Sequence, residues 1–178
     1  LVTQINSERK HYRCFVSYSS VDAELATRLC KDLNAIGMPC WEYIQDTVVG
    51  RKVWSTIGRP IKDDDKMLPI CSQNSLKMDG VPKEIEHALQ KESIIRTANN
   101  RRKKRAATLD MEPELLNGDV LFPIRLDDYM LNEWQHEQKS DVLATHVLDF
   151  SGWHHEAKYQ SSLQQLLYDI DPKTRWPR

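Results

Sequence analysis

Short unbroken apolar runs alternate along the chain with longer stretches in which apolar residues recur every three or four positions. The first run, residues 13–18 (Arg-Cys-Phe-Val-Ser-Tyr), reads as a buried strand, and the Ser-Tyr-Ser-Ser that ends it suits the entry to a helix. Ser19, followed three residues on by Asp22, has the spacing of a capping box. Val21, Leu25, Leu29, Leu33 and Ile36 then repeat at helical spacing, and Gly37 supplies the stop. Residues 38–43 form a second strand, placed at a sheet edge because Pro39 has no N–H to give to a ladder. Trp54, Ile57 and Ile61 mark a second helix, shortened or kinked by Gly58 and Pro60. Residues 66–72 read as a third strand, with a local irregularity expected at Pro69. Asp79 caps the next helix, Pro82 fits its first turn, and Val81, Ile85, Ala88 and Leu89 make its buried stripe. Residues 120–126 and 147–150 supply a fourth and a fifth strand. Leu163, Leu166, Leu167 and Ile170 close the chain with a helix.

Strands alternating with helices predict βαβ units and a doubly wound α/β fold around a parallel sheet. Ligands of such folds bind outside the carboxyl ends of the strands, near the point where strand order reverses. Three loops answer to that place: 17–20, 43–52 and 72–79. There is no internal repeat and no low-complexity linker.

Length and composition add bounds. The chain's 178 residues suit one domain, and 40% apolar with 29% charged residues exclude a disordered or collagen-like chain. A net charge of −1 argues against a general nucleic-acid binder. No apolar run approaches the roughly 18–20 residues that span a bilayer, and the polar stretch from Gln4 to Arg13 is no signal peptide, so neither membrane nor secretion is expected. Cys14, Cys30, Cys40 and Cys71 never form a C-x-x-C pair and are read as reduced thiols in a cytoplasmic core. His154, His155 and Glu156, with His146 nearby, lack the spacing of a metal site, so no metal is expected. Residues 92–119 look like an insertion, with Arg101-Arg102-Lys103-Lys104-Arg105 followed by Asp110, Glu112, Glu114 and Asp119. The basic run is read as a solvated, mobile face neutralised by the acids after it, in preference to a nucleic-acid or anionic-lipid patch.

The dinucleotide fingerprint G-x-G-x-x-G and the P-loop are absent, and Val16, Ser17 and Tyr18 stand where a phosphate-accepting receiver would carry acids. The chain instead resembles the TIR (Toll/interleukin-1 receptor) domain family, in its bacterial NAD-cleaving branch. The resemblance rests on Phe15-Val16-Ser17-Tyr18-Ser19 with Asp22, the loop Asp46–Gly50 before Trp54, and Cys71-Ser72-Gln73-Asn74-Ser75-Leu76. Lys83-Glu84-Ile85 with Ala88-Leu89, Leu121-Phe122-Pro123-Ile124, and Phe150 with Trp153 complete it. It implies a flavodoxin-like five-stranded parallel sheet of order 2-1-3-4-5 flanked by helices, as a single domain over 12–170, with flexible termini at 1–11 and 171–178.

The resemblance also implies an activity: cleavage of NAD at the nicotinamide–ribose bond, giving nicotinamide and ADP-ribose or a cyclic isomer, in bacterial immunity or signalling. NAD is then the substrate, and no cofactor is implied. The family's catalytic glutamate falls on Glu84, which the helical spacing independently places at the border of the buried stripe, about one turn from the helix start. Many active members carry a tryptophan at the position of Gly80. Ser17, Tyr18 and Ser19 either line the substrate loop or cap the first helix. Trp54 either stacks on a ring of NAD or anchors the second helix. Asp46 and Gly50 bound the loop that contacts a neighbouring TIR domain in the family. Expected partners are therefore NAD, further TIR domains, and a sensor domain or partner protein. The alternative is a non-catalytic module that works only through TIR–TIR contacts.

Overall fold

A computed structural model gives the structure of the chain and describes residues 12–44 and 65–172. Five strands, β1 (Arg13–Tyr18), β2 (Cys40–Ile44), β3 (Asp65–Cys71), β4 (Ile124–Arg125) and β5 (Leu148–Asp149), form one sheet of order β2-β1-β3-β4-β5. Every pairing is parallel. The order and the edge position of β2 are those expected.

Alternation along β1 divides the interior into two layers. Cys14, Val16 and Tyr18 face a cluster that includes Leu25, Leu29 and Leu33 of α1 (Ala23–Ala35) and Leu163, Leu166, Leu167 and Ile170 of α6 (Glu156–Ile170). Phe15, with Met67 and Cys71 of β3, faces Val81, Ile85 and Ala88 of α3 (Gly80–Thr108). Each fully buried leucine of the α1 stripe contributes about 1.5–3 kcal/mol by leaving water. Val21, expected in that stripe, is instead 70% exposed, because a 3-10 turn at Ser20–Asp22 precedes the helix and swings it outward. Phe150 and Trp153 pack at the α1–α6 layer, as the sequence suggests.

Gly37 ends α1 with φ of 82°, and the N–H groups of Met38 and Gly37 donate to the carbonyls of Leu33 and Asn34 at 3.0 Å each, a complete Schellman motif. That tight reversal sets β2 against α1. Asn34 holds it there, donating to the carbonyls of Cys30 and Cys40 and accepting from the Cys40 N–H. The same closeness corrects the expectation of four reduced thiols. Cys30 and Cys40, with Cα atoms 5.1 Å apart, are joined as a disulfide, whereas Cys14 and Cys71 are free and buried.

Pro69 leaves its mark on the sheet. β3 pairs with β1 from Asp65 to Pro69 and with β4 only at Ile70 and Cys71, with an isolated bridge from Met67 to Leu121 on the same register. Pro69 therefore falls opposite Pro123, where it has no N–H to offer, and the missing rung splits the expected fourth strand into a bridge and a two-residue ladder.

Three further helices have no counterpart in the sequence expectation: α2 (Gln73–Lys77), directly after β3, the short α4 (Tyr129–Asn132), and α5 (Lys139–Ala144) after it. Residues 92–108, read as the start of an insertion, continue α3 without a break to a total of 29 residues. The expected helix at Trp54–Ile61 lies outside the described residues.

Candidate functional site

The carboxyl ends of β1 and β3 lie side by side where the strand order reverses, and buried polar side chains gather there. Ser72 caps α2 through a reciprocal pair with Ser75: the Ser75 N–H donates to Ser72 Oγ at 3.1 Å, and the Ser72 N–H donates to Ser75 Oγ at 2.9 Å. The Ser72 hydroxyl in turn donates to Asp22 Oδ2 at 2.6 Å, tying the loop after β1 to the loop after β3. Ser75 sends its proton towards the Ile70 carbonyl. The Gln73 N–H donates to Asp127 Oδ2 at 2.8 Å, so the loop after β4 joins the same edge.

The expected capping box at Ser19 and Asp22 does not form. Ser19 stands at the start of the 3-10 turn with no side-chain cap bond, and Asp22 is engaged by Ser72 instead. The sequence does carry the signal for the true cap, Ser72-x-x-Ser75 at the end of an apolar run. Asp79 does stand at the N-cap of α3, though its side chain makes no cap bond.

Glu84 lies in the second turn of α3 and is 3% exposed, further inside than the border position expected. It shares the sheet-facing side with Val81, Ile85 and Ala88, and His87 Nδ1 stands 3.8 Å from its Oε2. Ser17, 1% exposed, follows Phe15 by two positions on β1 and so faces the α3 layer as well. Tyr18 is turned the other way. Its ring lies in the α1–α6 layer and its hydroxyl donates to Glu42 Oε2 at 3.0 Å, an oxygen that also accepts from Thr27 Oγ1 at 3.0 Å. Burial, and after it the hydrogen bond to Glu42, push the Tyr18 hydroxyl up to about 12. The structure thus brings Glu84 and Ser17 to one face of the sheet and places the Tyr18 side chain on the other. Asp46, Gly50 and Trp54 lie outside the described residues.

Among the described residues, no group of three or more His, Cys, Asp or Glu side chains could hold a metal ion. His146 is paired with Asp169, and His154 stacks on Trp153 at 3.9 Å between ring centroids. A cavity of about 260 Å³ lies away from the switch point, between α3 from Glu92 onward (Glu92, Arg96, Asn99, Asn100, Lys103) and Gly118-Asp119.

A family model for the TIR domain matches residues 14–167. The chain belongs to the TIR domain family. Among solved structures, this TIR domain is similar to the TIR domains of the activated Roq1 resistosome, which directly recognises the pathogen effector XopQ. That likeness has 13% identity and a TM-score of 0.47, over 89% of this chain and 99% of the other. No curated protein matches. Gly80, where many active TIR domains have tryptophan, is the first residue of α3, four positions before Glu84. No helix among the described residues of this TIR domain is long and apolar enough to cross a membrane.

Proposed function

We propose that this TIR domain cleaves NAD between nicotinamide and ribose, with Glu84 as the catalytic carboxylate. The observation that carries this reading is the burial of Glu84, 3% exposed, on the face of α3 that meets the sheet beside the strand-order switch. On the same helix Glu86, two residues on, and Arg96, about three turns on, stay in water. A carboxylate taken out of solvent is costly unless its charge is engaged, here by His87 at 3.8 Å and, in this reading, by the ribose of NAD.

The chemistry asks for one such group. Nicotinamide leaves a cationic nitrogen as a neutral molecule, so no general acid is needed, unlike ordinary glycoside hydrolysis with its two carboxyl groups. The barrier lies in the oxocarbenium-like ribose, whose growing positive charge a fixed carboxylate stabilises more than it stabilises the ground state. Ser17 and Ser19, 1% and 4% exposed at the end of β1, belong with Trp54, Asp46 and Gly50 to the proposed substrate-contacting set. The product is ADP-ribose or a cyclic isomer. The domain acts when clustered with further TIR domains by a sensor or partner protein, in immune signalling.

Incubating concentrated protein with NAD and assaying free nicotinamide tests this. Wild type is expected to release nicotinamide and Glu84→Gln, with an unchanged melting temperature, to lose about 10²-fold or more of that rate. Equal rates in the two proteins remove Glu84 from the reaction. Absence of release by wild type, even when forced to cluster, leaves the second reading, a non-catalytic TIR–TIR scaffold, which Gly80 in place of the tryptophan favours.

A further inference from the structure

We infer that the far half of α3 and the segment returning along it form a self-complementary surface through which two copies of this chain pair, cations of one against carboxylates of the other. The inference deepens the self-association part of the proposed function by naming a surface, and it does not depend on NAD cleavage.

The surface begins as a mismatch of lengths. At about 1.5 Å per residue the 29 residues of α3 run roughly 43 Å, against about 23 Å for the seven residues of β3 beside it. Since α3 runs back from the carboxyl end of β3, its excess projects past the amino end of the sheet, opposite the site around Glu84. The projection is a built arm. Asp110, with φ of 51°, reverses the chain, and the Met111 N–H closes the helix end on the Ala106 carbonyl at 3.0 Å. The return segment is then laced to one helix face. Arg102 donates to the Glu114 carbonyl, Asn99 exchanges two bonds with Leu116, and Glu92 Oε1 accepts from the N–H groups of Val120 and Leu121, both at 2.8 Å.

The remaining charges of the arm are left over from this lacing. Arg101, Lys104 and Arg105 are exposed, and so are Glu112 and Glu114. Among the described residues, none of the five side chains enters an ion pair. The acids therefore lie along the basic run without close pairing to these cations, which leaves both signs exposed on one surface. Leu109 and Met111, 55% and 65% exposed at the turn, add apolar area between the two signs.

Charge complementarity selects the occupant. A polyanion drawn to the basic helix would meet the carboxylates of the neighbouring segment. A second copy related by a twofold axis sets each sign against its opposite twice over. Pairing at the arm leaves the carboxyl ends of both sheets open.

The test is charge reversal with mixing, read as mass by light scattering on the full chain at low salt. Wild type is expected to move from its 20.8 kDa monomer towards twice that mass as concentration rises, and raising salt to 0.5 M weakens the association about tenfold or more. Arg101→Glu/Arg105→Glu and Glu112→Lys/Glu114→Lys should each be monomeric alone and dimeric when mixed in equal amounts. These residues are exposed, and circular dichroism identical to wild type establishes folding. A wild type that stays monomeric, including one that is then retained on a polyphosphate column, overturns the inference. So does dimerisation unaffected by either reversal, which moves self-association to another surface. A mixture that stays monomeric also overturns it. The role of Glu84 is decided separately, by nicotinamide release from wild type against Glu84→Gln under forced clustering.

Discussion

Where β1 and β3 meet, the two ends of the parallel sheet are held by different forces, whereas at the β4–β5 edge Arg125 brings ion pairs with Asp128 and Asp149 to the carboxyl end as well. At the carboxyl end, where β1 and β3 stop, Ser72, Ser75 and Asp22 interlock through short hydrogen bonds in which Asp22 is the one charged group. At the amino end the ties are ionic and covalent. Arg13 pairs with Asp65, their side chains 11% and 3% exposed, buried Lys66 donates to the Asp119 carbonyl, and the Cys30–Cys40 disulfide locks α1 to the start of β2. Net hydrogen bonds contribute about 0.5–1.5 kcal/mol each and rearrange at little cost, whereas buried ion pairs and cross-links resist any shift. The rigid end can therefore act as the anvil for an end whose loops must admit a ligand.

The comparison breaks most visibly at Arg13. Arg13→Ala leaves the Asp65 carboxylate buried without its guanidinium and should cost about 3–5 kcal/mol in urea unfolding. A loss below about 1 kcal/mol would put the two ends on an equal footing. Next comes the disulfide. It closes a loop of sequence separation 10, so reduction, or Cys40→Ser, should lower stability by about 2–3 kcal/mol through the freed unfolded chain. Thiol counting checks the pairing itself. The unfolded chain should show two reactive thiols without reductant and four with it. The folded chain should show none, because burial pushes Cys14 and Cys71 up to about 12.

At the carboxyl end the expected effect is smaller. Ser72→Ala removes the cap of α2 and the donor to Asp22, and should cost about 1–2 kcal/mol, with Ser72→Asn recovering the cap but not the cross-loop bond. Equal losses from Ser72→Ala and Arg13→Ala would show that the hydroxyl network is as rigid as the ionic end.

The legible part of the molecule was set by local chemistry. Gly37 stops α1 because the Schellman turn needs a positive φ, and Leu25, Leu29 and Leu33 are buried because one helix face must leave water. The strand order followed from the family resemblance. What escaped depends on contacts between segments distant in sequence. Asp22 reads locally as a partner for Ser19, and only the adjacency of β1 and β3 gives it Ser72, fifty residues away. The cysteine pair needed the geometry of the α1–β2 turn. The stretch 92–108 reads as an insertion because its face has few apolar residues, yet Glu92, Asn99 and Arg102 bind the returning chain by polar bonds that no hydrophobic period records. At the candidate site, helical spacing located Glu84 near the buried face, but its full burial comes from the sheet it packs on.

Tyr18 joins the two ends of the comparison, since it closes β1 yet points into the opposite layer from Glu84. Its folded-state value of about 12 lies above the ordinary value of 10, so the folded protein holds this proton where the unfolded chain loses it. The contribution is complete below pH 10, falls as pH rises through the window to about 12, and has a slope of at most about 1.4 kcal/mol per pH unit. Tyr159 is raised in the same sense, by burial and its bond to Asp32, so wild type keeps part of the slope from that second group. Tyr18→Phe should therefore cost about 1 kcal/mol or less at pH 7, because exposed Glu42 regains water and keeps Thr27. Its deficit against wild type should shrink between pH 10 and 12. A deficit that stays constant across that window would mean the Tyr18 hydroxyl titrates as in the unfolded chain. The end of β1 would then be as open to water on the α1 side as a ligand site requires on the α3 side.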